Sequence, residues 1–315
     1  MKMFMSYKNL TTLNIELFDY ENITITELIA ITELIAITEL ICVHNQIKSF
    51  PFEIGKLVNL QQLDCRHNKI ESFPSEIGNL VNLRDLDCEF NEIKSLPIEI
   101  GNLVNLQILN CKYNQIKSLP SEIGNLINLQ RLYCDHNQIV LLPNEIGKLV
   151  NLRRLDCDHN QIESLPSEIG SLISLHFFEC SNNKIVLLPS EIDNLINLRF
   201  FGCSNNEIES LPSEIDNLIN LRVFDCSNNP IEHIPPNVMR FLQRLINNTQ
   251  NVHNHTIQSC IKKSIKNILN HKPCIENHIE YILQDEILDN YTKEFLIEYS
   301  QDANIHTELG ISFDE

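Results

Sequence analysis

The segment 106–129 reads LQILNCKYNQIKSLPSEIGNLINL, and the same pattern returns every 23 residues through most of the chain. An asparagine follows the repeated cysteine by three positions, and an isoleucine follows that asparagine by two. The nine cysteines of the column are Cys42, Cys65, Cys88, Cys111, Cys134, Cys157, Cys180, Cys203 and Cys226. A fixed period in this range is typical of a solenoid, in which one supersecondary unit is copied and stacked.

A short strand is predicted at the start of each unit. Leu109 and Cys111 are two positions apart and therefore lie on one face of a strand. Asn114 is expected to close the strand, because its amide can satisfy turn backbone groups that would otherwise be buried unpaired. Stacked in register, these asparagines should form a hydrogen-bonded ladder along the solenoid. In the middle repeats, the ladder and its cysteines are Cys111, Asn114, Cys134, Asn137, Cys157 and Asn160.

A short helix is predicted in the second half of each unit. Pro120 is expected at its first position, where the missing N–H costs nothing, and Glu122 lies in the first turn, where the helix dipole favours a negative charge. Ile123, Leu126 and Leu129 recur every three residues. That spacing suits a tight or 3₁₀-like helix that buries one edge.

The pattern LxxLxCxxNxIxxLPxEIGxLxNL resembles the 23-residue leucine-rich repeats of plant intracellular Ras-group proteins. Its richness in isoleucine and asparagine, and its cysteine in place of the usual leucine, also resemble repeat proteins of amoeba-infecting giant viruses. The resemblance implies an α/β leucine-rich-repeat solenoid, with a curved parallel sheet on the concave side, short outer helices and protein–protein recognition as the usual role. We expect an N-terminal cap in residues 1–36, nine repeats in 37–235, and a C-terminal cap helix with a small helical domain in 236–315.

The two ends of the chain depart from the repeat. Leu10, Leu13 and Ile15 are interpreted as a degenerate first strand, and the ITELIA hexads of residues 25–36 as a duplicated insertion. After the last repeat, a capping helix is predicted from the apolar residues Val238, Phe241, Leu242 and Leu245. Three amphipathic helices are predicted farther along the tail.

Three interpretations of the cysteine column are open. The favoured one is a column of small buried apolar side chains with reduced thiols. Strands about 4.8 Å apart would also permit disulfides, but in-register side chains point the same way. A metal ladder would need ligands that converge on one point, whereas these cysteines are spread along a line.

Side chains that alternate with the buried leucine and cysteine are expected to face the concave side. In the middle repeats they combine aromatic rings and histidines with carboxylates, a composition that protein interfaces favour. The predicted partner-binding patch, expected to receive a basic segment of a protein, is Phe90, Tyr113, Tyr133, Asp135, His136, Asp156, Asp158 and His159. The alternative interpretation is a solvated face whose variation is neutral.

Composition opposes several classes of partner. The chain has 24 Lys+Arg against 42 Asp+Glu, a formal net charge of −18. Such a field repels nucleic acid and anionic lipid, so neither is expected as a partner, and a basic protein surface is favoured. The first residues lack the pattern of an export signal, so we expect a cytoplasmic protein, in the host cytoplasm if it is viral. The oligomeric state is open.

No P-loop, GxSxG, HExxH or GxGxxG motif is present, so we expect neither an enzyme nor a cofactor. The leading hypothesis is a non-catalytic protein–protein interaction scaffold. The alternative is a substrate adaptor, whose array selects a target while its helical tail docks on ubiquitin-ligase or signalling machinery.

Two groups of residues were considered as metal ligands, and no metal is predicted at either. Asp85, Asp87 and Glu89 alternate along one strand but lack a loop to wrap an ion. The tail group, whose spacing matches no zinc motif, consists of His253, His255, Cys260, His271, Cys274 and His278.

Overall fold

A computed structural model describes residues 2–4, 37–232 and 234–248. Within these ranges, ten short parallel strands form one open sheet in chain order. The strands are β1 Lys2–Phe4, β2 Glu39–Ile41, β3 Gln62–Asp64, β4 Asp85–Asp87, β5 Ile108–Asn110, β6 Arg131–Tyr133, β7 Arg154–Asp156, β8 Phe177–Glu179, β9 Phe200–Gly202 and β10 Val223–Asp225.

A 3₁₀ helix follows each strand from β2 to β9. These helices are η1 Phe52–Lys56, η2 Ser75–Asn79, η3 Ile98–Asn102, η4 Ser121–Asn125, η5 Asn144–Lys148, η6 Ser167–Ser171, η7 Ser190–Asn194 and η8 Ser213–Asn217. The predicted solenoid of parallel strands and short, 3₁₀-like helices is confirmed.

The expected start of the helix was wrong by one residue. Pro120 is the N-cap of η4, with φ −67° and ψ 150°, so its backbone is extended and the helix begins at Ser121. Proline fixes φ near −65°, a value that both a first helical residue and an extended cap can have, and only ψ separates the two. The Pro120 carbonyl accepts the N–H of Ile123 at 3.0 Å, which closes the first helical turn.

The hydrophobic core lies between the sheet and the 3₁₀ helices. Leu109, Cys111 and Ile123 are each 0% exposed, and equivalent residues in the other repeats are buried in the same way. In the last repeats, phenylalanines such as Phe178 and Phe201 replace the strand leucine and stack at 5.3 Å. Every layer is covered by its neighbours, so burial of apolar surface, at roughly 25 cal/mol per Å², depends on stacking.

The repeated asparagine joins each repeat to the one before it. Nδ2 of Asn137 lies 3.1 and 3.0 Å from the carbonyls of Cys134 and Asp135 in its own repeat, and 3.0 Å from that of Cys111 in the preceding repeat. Its Oδ1 accepts the N–H of Ile116, also in the preceding repeat, at 2.9 Å. The ladder therefore runs through the backbone and not from one amide to the next. The same contacts are made by Asn68, Asn91, Asn114, Asn160, Asn183, Asn206 and Asn229.

The repeated cysteine is buried, and in six consecutive repeats, from Cys65 to Cys180, its thiol also donates a hydrogen bond. All nine cysteines of the described array are free thiols. The thiol of Cys134 donates to the carbonyl of Asp156 at 3.3 Å, and the same carbonyl accepts the backbone N–H of Cys134 at 2.8 Å. Burial raises the pKa of this thiol well above its usual range, so it stays protonated. A leucine could not make this second bond to the neighbouring strand.

An additional element packs on each end of the described array. β1 pairs with β2, with Lys2 opposite Glu39, and this strand was not predicted. At the other end, the helix α1, Pro236–Asn248, packs on η8, and the side chains buried there are Val238, Phe241, Leu242 and Leu245.

Several predictions concern residues outside the described ranges. These are the strand at Leu10–Ile15, the ITELIA insertion, the tail helices on which the adaptor hypothesis depends, and the histidines and cysteines between His253 and His278. Among the described residues, no helix has the length and apolar character needed to cross a membrane.

Replacement of Asn137 by alanine should strongly destabilise the array. The change leaves the buried Ile116 N–H and the carbonyls around it without their partner, which should lower the free energy of unfolding by about 3 kcal/mol. The matched control is Asn128→Ala, because Asn128 makes one exposed bond to the Val104 carbonyl and should cost less than about 1 kcal/mol. Urea denaturation followed by circular dichroism measures both. Equal losses would contradict the role given to the ladder.

The nine array thiols should be protected from modification until the protein unfolds. Their burial and raised pKa keep the reactive thiolate scarce. Alkylation with iodoacetamide, followed by peptide mass spectrometry, should label them only in denaturant. Rapid labelling of Cys111, Cys134 or Cys157 in the native protein would show that the column is accessible.

Candidate functional site

The sheet face is the side of β2–β10 that points away from the core. It is formed by the residues on either side of the buried strand leucine and by the two residues after the buried cysteine. In the repeat that contains β7 these are Arg154, Asp156, Asp158 and His159. Adjacent strands are in register, with Tyr133 opposite Asp156, so each position forms a column across the sheet.

A column of stacked rings follows one edge of the sheet face. Its rings, the ring column, are His44, His67, Phe90, Tyr113, His136 and His159, with centroids of neighbouring rings 4.0–4.5 Å apart. Each of these residues has a left-handed backbone, with φ between 47° and 55°. Because each ring covers the face of the next, the column presents ring edges to a partner.

The left-handed conformation was not predicted. Bulky residues with positive φ are uncommon, whereas asparagine adopts this conformation readily. The same column continues into Asn182, Asn205 and Asn228, whose φ values are also positive. These three asparagines are the signal in the sequence that could have revealed the turn.

Four acidic residues lie together in the middle of the sheet face: Asp135, Asp156, Asp158 and Glu179, here called the acidic cluster. Asp156 is buried and pairs with Arg154, with Nη2 2.8 Å from Oδ2. Glu179 is the register partner of Gly202, and its carboxylate occupies the space that a Cβ at Gly202 would need. The missing side chain at position 202 therefore allows this glutamate to lie flat against the sheet.

Ionisation of the acidic cluster costs free energy, because its carboxylates are buried close to one another. Burial, opposed in part by Arg154, raises the pKa of Asp156 to about 6. Burial and the nearby Asp158 raise the pKa of Glu179 to about 8. The pKa of Asp158 is also raised, by burial and then by Asp135 and Asp156. Among the described residues, Glu179 has no ion-pair partner, whereas Arg154 pairs with Asp156.

The first half of the sheet face is better balanced. Arg66 lies 2.8 Å from Asp64 and 3.4 Å from Asp87, and Nζ of Lys112 lies 3.7 Å from a carboxylate oxygen of Glu89. Burial still raises the pKa of Asp87 to about 7. Around β7 and β8, by contrast, one paired arginine, Arg154, lies among the four carboxylates of the acidic cluster.

Arg154 is fixed between two aromatic rings. Its guanidinium lies 5.2 Å from the ring centre of Tyr133 and 4.1 Å from that of Phe177. Phe177 stacks in turn on Phe200 at 4.3 Å. These contacts, together with the bonds to Asp156, hold the arginine in one orientation, and favourable cation–π contacts add to its stability.

All eight residues of the predicted patch lie on the sheet face, in two arrangements. Phe90, Tyr113, His136 and His159 are consecutive members of the ring column, whereas Tyr133 and Asp156 lie on neighbouring strands and Asp135 and Asp158 follow them. Asp156 was expected to receive a basic group, but Arg154 already occupies its carboxylate. Sequence reasoning missed Arg154, Phe177 and Glu179 as members of the site.

Comparison with protein families finds leucine-rich repeats along most of the array. The family described as "Leucine-rich repeat region" matches residues 75–157. "Leucine Rich repeats (2 copies)" matches 35–79 and 196–238, and "Leucine Rich Repeat" matches 151–172. A comparison with curated proteins returned no match.

Several solved structures are similar to the array. The crystal structure of a TDR receptor is 29% identical, with a TM-score of 0.59, and the match covers 64% of this chain and 36% of that one. The functional domain of InlJ from Listeria monocytogenes, which includes a cysteine ladder, is 26% identical with a TM-score of 0.57, covering 67% of this chain and 43% of that one. The Arabidopsis receptor kinase HAESA is 27% identical with a TM-score of 0.53, covering 60% and 34%.

The chain thus spans less than half the length of each of these three structures. The sequence matches and the architecture nevertheless agree on one assignment. This chain is a leucine-rich repeat protein.

Proposed function

We propose that the protein is a non-catalytic interaction scaffold that binds a basic segment of a partner protein at the acidic cluster of its sheet face. The observation that carries this proposal is the crowding of the Asp156, Asp158 and Glu179 carboxylates beside one arginine, Arg154, which is paired with Asp156. Burial and mutual repulsion disfavour the ionised forms of these carboxylates and raise all three pKa values. A lysine or arginine side chain brought to Glu179 would relieve that repulsion.

The surroundings of the acidic cluster favour specific recognition. The ring column on one side and the stacked Phe177 and Phe200 on the other flank it with immobilised aromatic groups. Residues that are already held in one conformation lose little entropy when a partner binds. Aromatic and arginine side chains beside a desolvated charge are also typical of the residues that dominate binding energy.

The relatives support an interaction role in general terms. The HAESA structure is a complex with the peptide hormone IDA and the co-receptor SERK1. We extend to this chain only the use of a repeat array to hold another polypeptide. The acidic cluster of this chain is the basis for proposing a basic partner. It is also the basis for placing the site on the sheet face, which the resemblance to leucine-rich repeats predicts to be concave.

Removal of two carboxylates should abolish capture of the principal partner. In Asp156→Asn/Glu179→Gln, the cluster loses negative charge and Arg154 becomes uncompensated, so binding of a basic segment should weaken at least about tenfold. The control, Glu163→Gln/Glu207→Gln, removes the same charge from exposed positions away from the sheet face. Affinity capture from the native cell, with quantitative mass spectrometry, compares the variants. Equal capture by all three proteins would refute the proposed site.

The strain in the acidic cluster should also appear as a pH-dependent stability. The pKa of Glu179 is about 8 in the folded protein, above its ordinary value of 4.5, so the folded state binds the extra proton between these pH values. The stability that this proton provides is complete below pH 4.5 and is lost as the pH rises through 8. Glu179→Gln should therefore gain in Tm over the wild type as the pH rises from about 5 to about 9.

Thermal unfolding followed by circular dichroism measures this gain, and Glu163→Gln serves as the exposed control. Parallel Tm curves for the wild type and Glu179→Gln across this range would show that Glu179 is not under electrostatic strain.

A further inference from the structure

We propose that His136, Asp158 and His159 form a binding site for a divalent transition-metal ion, with Zn²⁺ as its typical occupant. One ligand atom from each of the three side chains lies within 4.8 Å of the other two. The two histidines are neighbours in the ring column, with centroids 4.1 Å apart. This site goes beyond the proposed partner binding, because it involves a different ligand at the edge of the acidic cluster.

The donor set suits zinc. Two imidazole nitrogens and one carboxylate oxygen are a common set of three protein ligands, and a fourth position is left for water or for a group of another molecule. Tetrahedral coordination with bonds of about 2.1 Å places ligand atoms about 3.4 Å apart, so ligand atoms separated by as much as 4.8 Å must close by up to about 1.4 Å. Their exposed fractions are 26% for His136, 19% for Asp158 and 32% for His159, which lets an ion enter and the side chains turn.

Each histidine is oriented by the carboxylate of the residue before it. Nδ1 of His136 lies 3.1 Å from Oδ2 of Asp135, and Nδ1 of His159 lies 2.6 Å from Oδ2 of Asp158. Metal ions and protons compete for imidazole and carboxylate ligands, so the affinity of such a site for a metal ion depends on pH. Asp135 supplies a second carboxylate beside the site, and outer carboxylates of this kind orient histidine ligands and raise their basicity.

The local field favours a cation at this position. The carboxylates of Asp135 and Asp158 lie 3.1 and 2.6 Å from the rings of His136 and His159, and Asp156 and Glu179 are register partners on the adjoining strands. A divalent ion would bring positive charge to this group more compactly than a side chain can, and bound cations often are the largest charges in such sites.

The same column contains an internal control. His44 and His67 stack at 4.3 Å with the same left-handed backbone. The residues that precede them are Val43 and Arg66, so neither has a carboxylate at the position that Asp135 and Asp158 occupy. Stacked imidazoles are therefore present in both histidine pairs, whereas the preceding carboxylates are found at the His136/His159 pair.

Zinc titration of the full chain tests the proposal. The protein, free of any affinity tag and treated with a chelator, is titrated with Zn²⁺ in a calorimeter. His136→Asn/His159→Asn should bind one Zn²⁺ fewer per chain than the wild type, while His44→Asn/His67→Asn should bind as many as the wild type. Asparagine is the natural residue of this column at position 182, so both variants keep a side chain that tolerates the left-handed backbone. Asp158→Ser should weaken the binding of that ion at least about tenfold.

The proposal is overturned if the His136/His159 variant binds as many zinc ions as the wild type, or if both histidine pairs lose an ion equally. Mg²⁺ and Ca²⁺, which prefer oxygen ligands, should not compete, and equal competition would indicate a non-specific acidic surface instead. X-ray absorption at the zinc edge is measured on the wild type loaded with one equivalent of Zn²⁺, so this test does not require any variant to fold. It should show imidazole nitrogen ligands, and a zinc–sulfur distance near 2.3 Å would place the ion elsewhere and refute the site.

Discussion

The side-chain amide of one asparagine per repeat satisfies buried backbone groups in two consecutive repeats. Asn137 bonds carbonyls in its own repeat and both a carbonyl and an N–H in the preceding one. Buried backbone groups without partners are costly, so neither repeat is complete alone. The parallel register, the buried thiol column and the close stacking of the helices all depend on this connection being made at the same place in each copy.

Because the internal positions are fixed, chemical variety is confined to the sheet face. Neutral, basic and acidic residues alternate there without altering the core, and adjacent columns bring side chains from successive repeats into contact. This is how Asp156 and Glu179, 23 residues apart in sequence, become register partners. The acidic cluster is therefore a property of three consecutive repeats, and no single repeat contains it.

The period predicted the architecture because each core position is determined within one unit. Leu109, Cys111 and Asn114 could be placed from spacing alone, and the 3₁₀ helix followed from the interval of three. Contacts between repeats were harder to predict. The burial of Arg154 depends on the ring of its register partner Phe177 and on that of Tyr133, two residues along from its register partner on the other neighbouring strand. The position of Glu179 depends on the absent side chain of Gly202. Such contacts depend on the particular side chains at several columns. A pattern averaged over repeats does not record which side chains these are.

The bonds of the asparagine point in one direction along the chain, from each copy back to its predecessor. Excision or tandem duplication of one whole copy leaves every remaining junction chemically the same, provided that the phase of the repeat is kept. The length of such an array can therefore change in evolution without a new interface having to arise. Such an event does change which side chains become neighbours at the new junction. Gain or loss of one copy between Asp135 and Glu179 would therefore change the composition of the proposed binding surface in a single genetic event.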